Sequence, residues 1–152
     1  MNHSDPLRLE NQLCFPLYAG AKEVVRMYTP LLNEIGLTYT QYIAMMVLWQ
    51  EKALTVKALG RRLFLDAGTL SPLLKKLEQK GYVTRKRDEE DERSVILTLT
   101  QSGAQLKARA EEIPAKIASC VPLTGEEAGT LYALLYKILD NVNVKEDEDD
   151  RL

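Results

Sequence analysis

The feature that most constrains the fold is the spacing of leucines before Gly81. Four leucines recur at i, i+3, i+4 and i+7, namely Leu70, Leu73, Leu74 and Leu77. This is the periodicity of one buried helical face. At about 100° per residue, the opposite face is polar or small. It carries Gly68, Pro72, Lys75, Lys76 and Gln79, with Thr69 and Ser71 at its edges. The spacing therefore predicts a helix that Gly81 ends and that exposes lysines and hydroxyls to solvent.

Two residues are candidates for the N-cap of this helix. If Asp66 is the N-cap, Pro72 lies inside the helix and removes a backbone hydrogen bond. If Thr69 is the N-cap, Pro72 falls in the first turn, where proline is tolerated. The residues alone leave both starts open.

Two helices are predicted ahead of this one. Thr38 and Gln41 form a capping box that begins a helix reaching about Trp49. A shorter helix follows over residues 56–64, and a tight turn over 65–68 separates it from the leucine-faced helix.

Two strands and a charged connection come next. Val83 to Arg87 and Val95 to Leu99 have the composition and alternation of strands, and a polar stretch joins them as a long hairpin. A short helix, a turn, a polar-faced helix and a hairpin follow one another in a winged helix-turn-helix. That unit places its second helix in the major groove of DNA and its hairpin near the backbone or minor groove.

The charge distribution agrees with that order. The whole chain has a net charge of −2, which taken alone argues against a nucleic-acid binder. Residues 55–87, however, hold 9 basic and 2 acidic side chains, and five acids follow in one run over 88–92. A basic module is therefore expected between acidic flanks.

Long helices are predicted on both sides of this module. Apolar residues recur at helical spacing from Leu13, and Pro30 with Gly36 is expected to end that helix. Another helix begins at Thr100, is interrupted by prolines, and restarts at a second capping box over 124–127. The last helix has an apolar stripe of Leu131, Leu134, Leu135, Ile138, Leu139 and Val142. Because such faces would be exposed in a single chain, we expect a homodimer that places two recognition helices about one DNA turn apart on a pseudo-palindromic site.

The predicted fold class is mainly α with a small β-hairpin wing, a winged helix-turn-helix flanked by N- and C-terminal dimerisation helices. We expect a single domain over 1–152. Its dimerisation helices lie in 7–50 and 101–143, its DNA-binding module in 54–100, and an acidic tail, expected to be disordered, in 144–152.

Composition excludes other classes of protein. Charged residues make up 28% of the chain and no apolar run is long enough to span a membrane, so a cytoplasmic protein is expected. Two cysteines and one histidine are too few for a disulfide framework or a zinc site. With His3 as the only histidine, a histidine-containing triad is not expected either. Neither a metal nor a cofactor is predicted, and an enzyme is not expected.

The segment LTVKALGRRLFLDAGTLSPLLKKLEQKGYVTRKRDEEDERSVILTLTQSG resembles the MarR family of dimeric winged-helix regulators, and Asp91-Glu92-Arg93 fits that family's Asp-x-Arg wing element. Two further segments, LENQLCFPLYAGAKEV and LTYTQYIAMMVLW, resemble the organic-hydroperoxide-sensing branch, the OhrR repressors. The resemblance covers about residues 7–142 without large gaps.

This resemblance implies a transcriptional repressor that releases its operator when an organic hydroperoxide oxidises Cys14. It makes Tyr28 and Tyr39 the hydrogen-bonding partners of that thiol. Cys120 lies where two-cysteine members carry a resolving cysteine. If Cys120 is inert, a small cellular thiol would cap the oxidised Cys14 instead.

Helix geometry limits which side chains can lie close to Cys14. Tyr18 is one turn from Cys14 and can line the same pocket, whereas Tyr28 is 14 residues away, about 21 Å along a straight helix. Tyr28 must therefore come from an antiparallel helix of the other subunit if it bonds Cys14. Pro16 either kinks the first helix or opens it, and the second arrangement puts Cys14 near a helix N-terminus.

The candidate DNA contacts lie on the recognition helix and the wing. Thr69, Ser71, Lys75 and Lys76 belong to the helix. Arg85 and Arg87 are predicted phosphate contacts. By resemblance Arg93 enters the minor groove, with Asp91 holding its guanidinium.

Two other functions compete with this interpretation. A MarR-like repressor can be released by a small aromatic or phenolic ligand instead of by thiol oxidation. A thiol-dependent peroxidase would need efficient turnover, which the missing acid-base histidine disfavours.

Overall fold

A computed structural model describes residues 5–89, 91 and 93–149, with side chains up to residue 140. After a short 3-10 helix at Leu9–Asn11, the helices are α1 (Cys14–Glu34), α2 (Tyr39–Glu51), α3 (Val56–Leu63), α4 (Ala67–Gln79), α5 (Gln101–Ala110), α6 (Ile113–Cys120) and α7 (Gly125–Asp149). The strands are β1 (Ala53–Thr55), β2 (Val83–Arg87) and β3 (Val95–Leu99). The chain forms two compact units, one up to Ala118 and one from Ser119.

The sheet is antiparallel, with β3 between β1 and β2. Leu97 pairs with Leu54 of β1 on one side and with Arg85 of β2 on the other. The two hairpin strands are confirmed at their predicted bounds. Strand β1 was not predicted, because a strand of three residues is too short to show an alternating pattern.

The leucine face of α4 is buried as its spacing predicts. Leu70, Leu73, Leu74 and Leu77 are 0–6% exposed, and α4 packs against α2, α3 and β2. The residues of the opposite face, Gly68, Pro72, Lys75, Lys76 and Gln79, are all exposed. The mainly helical winged helix-turn-helix fold is therefore confirmed.

Asp66, one of the two candidates, is the N-cap of α4. Its carboxylate accepts from the backbone N–H of Thr69 at 3.0 Å, and Pro72 lies inside the helix. Pro72 removes the donor that would reach the carbonyl of Gly68. Because Gly68 and Pro72 are both exposed, water can reach that carbonyl, and the helix tolerates the proline.

The sequence predicted that Pro30 and the Gly36 region end the first helix; the Gly36 region is confirmed, but Pro30 does not end the helix, because α1 continues through it to Glu34. The proline deletes one backbone hydrogen bond on the exposed side of a 21-residue helix. Gly36, whose φ of +70° is in the left-handed region that favours glycine, ends the helix instead.

The ends of the next two helices are set by local interactions. The capping box of α2 is confirmed: Gln41 N–H donates to the Thr38 hydroxyl, and the Gln41 side chain accepts from the Thr38 N–H at 3.1 Å. Helix α3 ends at Leu63, one residue earlier than predicted, because Phe64 adopts a φ of +54°.

The unit from Ser119 is built on α7. Its predicted capping box is present, with Thr124 N–H donating to the Glu127 carboxylate at 2.8 Å and Glu127 N–H donating back to the hydroxyl. Helix α7 continues to Asp149, through positions where the sequence favours disorder. Extending an existing helix costs less than starting one. Residues 150–152 and the side chain of Val142 lie outside the described part of the chain.

A close approach between α5 and the segment before β2 depends on Gly103. A Cβ atom at this position would lie 2.2 Å from the backbone oxygen of Tyr82. The carbonyl of Gly103 also accepts from the indole N–H of Trp49 at 2.8 Å, which joins α2 to α5. Position 103, in the first turn of α5, therefore has no room for a side chain.

We expect Gly103→Ala to lower the free energy of unfolding by about 2 kcal/mol or more, because the methyl group collides with backbone that cannot rotate away. Gly129→Ala is the matched control. Its Cβ would meet nothing within 4 Å, so this helical substitution should stabilise by about 0.5–1 kcal/mol. Thermal unfolding of both variants measures the effect, and equal midpoints would contradict the packing argument.

Candidate functional site

The predicted sensor thiol lies at the beginning of a long helix. Cys14 is the first residue of α1, is exposed, and has a free thiol. Pro16 is the third residue of the helix and lies in its first turn, where proline is tolerated. The helix therefore begins two residues before Pro16 and not at it, but Cys14 does lie at the helix N-terminus, as the second arrangement expected. Backbone N–H groups of a first turn favour negative charge nearby.

The predicted tyrosine partners lie together near the other end of the same helix. The rings of Tyr28 on α1 and Tyr39 on α2 have centroids 5.0 Å apart in an edge-to-face arrangement. Tyr42 lies 5.9 Å from Tyr28 and extends the cluster. Sequence reasoning gave Tyr42 no role in the sensor, although its position three residues after Tyr39 on one helix was a usable signal.

These phenols, like ordinary tyrosines, are protonated at neutral pH, and burial moves each pKa further in that direction. Burial raises the pKa of Tyr28 and of Tyr39, and the neighbouring Tyr39 adds to the shift of Tyr28. Burial also raises the pKa of Tyr42. At neutral pH each hydroxyl is therefore a hydrogen-bond donor, which is what an acceptor such as a thiolate requires.

The thiol and the tyrosine cluster do not meet within one chain. Cys14 and Tyr28 are 14 residues apart on one continuous helix, a rise of about 21 Å. Tyr18 lies one turn from Cys14 and is 65% exposed. Cys120, the last residue of α6, has an exposed free thiol.

The exposed face of α4 holds the predicted DNA contacts. Ser71, Lys75 and Lys76 are exposed and point away from the buried leucines. Thr69 is exposed too, but its hydroxyl donates to the Asp66 carboxylate at 2.7 Å. Hydrogen bonds from the Thr69 side chain and backbone lower the pKa of Asp66. The Thr69 oxygen therefore remains available as an acceptor.

Arg85, which the sequence suggested as a phosphate contact, forms an ion pair with Glu78. Its guanidinium donates twice to one Glu78 oxygen, from Nε at 2.9 Å and from Nη2 at 2.5 Å. Hydrogen bonding from Arg85 lowers the pKa of Glu78. This ion pair ties strand β2 to the last turn of α4. Arg87, two residues further along the same strand, is exposed.

Asp91 organises the tip of the wing. One carboxylate oxygen accepts from the backbone N–H of Arg93 at 3.1 Å and the other from the Ser94 hydroxyl at 2.9 Å. The Ser94 N–H donates to the Asp91 carbonyl at 2.8 Å. Asp91 thus fixes the backbone that presents Arg93, whereas the sequence suggested a contact with its guanidinium. Glu90 and Glu92 lie outside the described residues.

No helix in the part of the chain that the structure describes is long and apolar enough to cross a membrane. The same residues contain no group of three or more His, Cys, Asp or Glu side chains that could hold a metal ion.

Comparisons with known proteins find transcriptional regulators that are similar to this chain. The family of SarA/Rot transcriptional regulators matches residues 26–110. An organic hydroperoxide resistance transcriptional regulator from Bacillus subtilis strain 168 is 48% identical over 144 residues, which cover 95% of this chain and 98% of that protein. AbfR of Staphylococcus epidermidis is similar in structure as well. Reduced AbfR bound to DNA has a TM-score of 0.73 and 37% identity, covering 90% of this chain and 96% of that one. Disulfide-formed AbfR has a TM-score of 0.64 and 37% identity, covering 90% and 93%.

The fold and the polar face of α4 are those of a DNA-binding transcriptional regulator with a winged helix-turn-helix. With nearly half of its residues identical to the Bacillus protein over almost its whole length, the chain belongs to the organic-hydroperoxide-regulator branch of the MarR family.

We expect the two arginines of β2 to affect DNA binding in different ways. Removing a phosphate contact reduces the slope of log affinity against log salt by about 0.9. Arg87→Gln should show this loss between about 50 and 200 mM salt. Arg85→Gln should weaken binding with little change in slope, because its guanidinium is committed to Glu78. Fluorescence anisotropy with operator DNA measures both slopes. An equal loss of slope in the two variants would show that Arg85 contacts phosphate.

Proposed function

We propose that the protein is a homodimeric repressor that binds a pseudo-palindromic operator and releases it when an organic hydroperoxide oxidises Cys14. The observation that carries this proposal is the placement of an exposed thiol at one end of α1 and a cluster of protonated tyrosines at the other. An antiparallel α1 from a second subunit would bring the two ends together. We place this function in the cytoplasm, where chromosomal DNA is available.

Exposed apolar side chains support a dimer. In the unit up to Ala118, large apolar residues are exposed around the beginning of α1, including Leu13, Phe15 and Tyr18. In the other unit, exposed residues of α7 include Leu131 and Ile138. Exposed apolar surface of this extent is typical of an interaction face. Helix α1 lies within the segment 7–50, and α7 begins within the segment 101–143 and continues beyond it; we assign both segments to dimerisation.

The chemistry of release is a two-electron oxidation of sulfur. The Cys14 thiolate attacks one oxygen of the hydroperoxide, the O–O bond breaks, and the products are a sulfenic acid and an alcohol, with one proton taken up by the leaving alkoxide. A second thiol then attacks the sulfenic sulfur, and a disulfide forms with loss of water. Cys120 or a small cellular thiol supplies that second sulfur. Phenol hydroxyls from the partner's tyrosine cluster would stabilise the thiolate before attack.

The DNA-reading surface combines positioning and base contacts. In this proposal α4 enters the major groove, where Ser71 and the Thr69 oxygen face bases or phosphates and Lys75 and Lys76 neutralise phosphates. Arg93 enters the minor groove from a wing tip whose backbone Asp91 holds.

Substituting the sensor thiol tests this function. On treatment with cumene hydroperoxide the native dimer should lose operator affinity about ten-fold or more, whereas Cys14→Ser should retain its affinity. Operator titration before and after treatment measures the change. Release of Cys14→Ser by hydroperoxide would contradict thiol sensing.

Cys120→Ser is the matched control for Cys14→Ser, because it removes the other exposed thiol. It should still release DNA in the presence of a small thiol. Non-reducing electrophoresis of oxidised native protein shows whether the subunits become linked. Release of either serine variant by a phenolic ligand, with no response to hydroperoxide in the native protein, would favour the ligand-gated alternative.

Mixed dimers test whether the tyrosines act across the interface. In a dimer of Cys14→Ser with Tyr28→Phe, the one remaining Cys14 faces an intact partner tyrosine and should react at the native rate. In a dimer of Cys14→Ser/Tyr28→Phe with native chain, the remaining Cys14 faces phenylalanine. It should react about ten-fold more slowly, since a hydrogen bond to a charged group is lost. Stopped-flow oxidation measures both. Equal rates would contradict the crossed arrangement.

We also propose that the oxidation is a signal and not a catalytic cycle. The relatives are transcriptional regulators. Steady consumption of hydroperoxide with excess thiol would instead identify a peroxidase.

A further inference from the structure

Helix α1, which begins at the proposed sensor Cys14 and is called the sensor helix, ends in a turn closed by backbone hydrogen bonds. After α1, the Leu37 N–H donates to the Leu32 carbonyl at 3.0 Å and the Gly36 N–H donates to the Asn33 carbonyl at 3.1 Å. With Gly36 at a φ of +70°, this is a Schellman turn. It satisfies the carbonyls of Leu32 and Asn33 in α1, and it leaves the carbonyls of Glu34, in α1, and of Gly36, in the turn, for other donors.

The recognition helix ends in the same way. After α4, the Tyr82 N–H donates to the Leu77 carbonyl at 3.1 Å and the Gly81 N–H donates to the Glu78 carbonyl at 2.9 Å. Gly81 has a φ of +73°. Lys80 is the C-cap residue between the helix and this glycine. Its backbone is therefore held in place by the turn.

One charged hydrogen bond joins the two turns. Lys80 Nζ donates to the Gly36 carbonyl at 2.6 Å, across 44 residues of sequence. Arg109 of α5 donates in a similar way to the Glu34 carbonyl. Two cations thus lie at the C-terminal end of α1, where the helix dipole favours positive charge. One of them belongs to the recognition helix and the other does not.

We propose that Lys80 is a positioning residue that couples α1 to the recognition helix, so that movement of α1 on oxidation displaces the C-terminal end of α4. This inference rests on the proposed function, because it assumes that oxidation of Cys14 moves α1. Helix α1 is continuous over its 21 residues, about 31 Å, including Pro30, so a displacement at its beginning can reach its end. Because Lys80 at the end of α4 is hydrogen-bonded to Gly36 after α1, a displacement of this end of α1 also displaces α4.

A single exposed hydrogen bond contributes little to folding. Loss of the Lys80 bond should therefore leave the fold intact and weaken the coupling between movement of α1 and movement of α4. The quantity to measure is the ratio of operator dissociation constants for the oxidised and the reduced dimer, because a general loss of DNA affinity cancels in that ratio.

The experiment compares Lys80→Met with Arg109→Met and Lys80→Arg, using operator DNA and cumene hydroperoxide. Lys80→Met should reduce the ratio about five-fold or more. Lys80→Arg keeps a donor and should preserve the ratio. Arg109→Met removes the other cation from the same end of α1 but keeps the link to α4, so its ratio should stay close to native.

Three results overturn the proposal. The first is a ratio for Lys80→Met equal to the native ratio, and the second is an equal reduction of the ratio by Arg109→Met. The third is a fall of about 0.9 in the salt slope of Lys80→Met, which would make Lys80 a phosphate contact. A native dimer that does not respond to hydroperoxide is a different result, since it refutes the proposed function itself, and the coupling with it.

Discussion

The burial of one face of α4 is the constraint on which the rest of the structure depends. Four leucines between 0 and 6% exposed fix the rotation of this helix about its axis. Because α-helical side chains repeat about every 100°, burying the leucines leaves the hydroxyls and lysines no direction but solvent. The exposed polar face, which we propose reads DNA, is thus a consequence of core packing. The elements that receive these leucines, α2, α3 and β2, are the ones that connect α4 to the sensor helix and to the wing.

The contacts of each basic side chain say more about its role than the number of basic side chains in the segment does. The segment 55–87 has a large excess of positive side chains, but these side chains differ in their contacts. Arg85 holds β2 against Glu78, and Lys80 holds the end of α1 through Gly36. Arg87, Lys75 and Lys76 are exposed. A count of basic residues locates the DNA-binding module, and the structure separates the side chains that hold it together from those that remain available to phosphate.

Features that depend on neighbours within one turn were predictable from the sequence. The capping boxes at Thr38 and Thr124 and both strands of the wing are present where local patterns placed them. The incorrect or missing predictions concern places where solvent exposure or pairing with a distant strand outweighed a local sequence rule. Pro30 breaks a helix in principle, but α1 is long enough to lose one exposed hydrogen bond and continue. Strand β1 forms because β3 offers it an edge, which no pattern in three residues can show.

Taken alone, the sequence defined the class of protein, the periodic faces of its helices and the residue types available for sensing and DNA binding. Those properties follow from spacing of three or four residues in helices and two in strands. Contacts between residues distant in sequence could be identified only in the tertiary structure. The Lys80 bond to Gly36 spans 44 residues and the Trp49 bond to Gly103 spans 54. The pairing of Tyr28 with Tyr39 likewise depends on how α1 packs on α2. Such contacts arise from the angles at which buried faces meet, and local periodicity does not specify those angles.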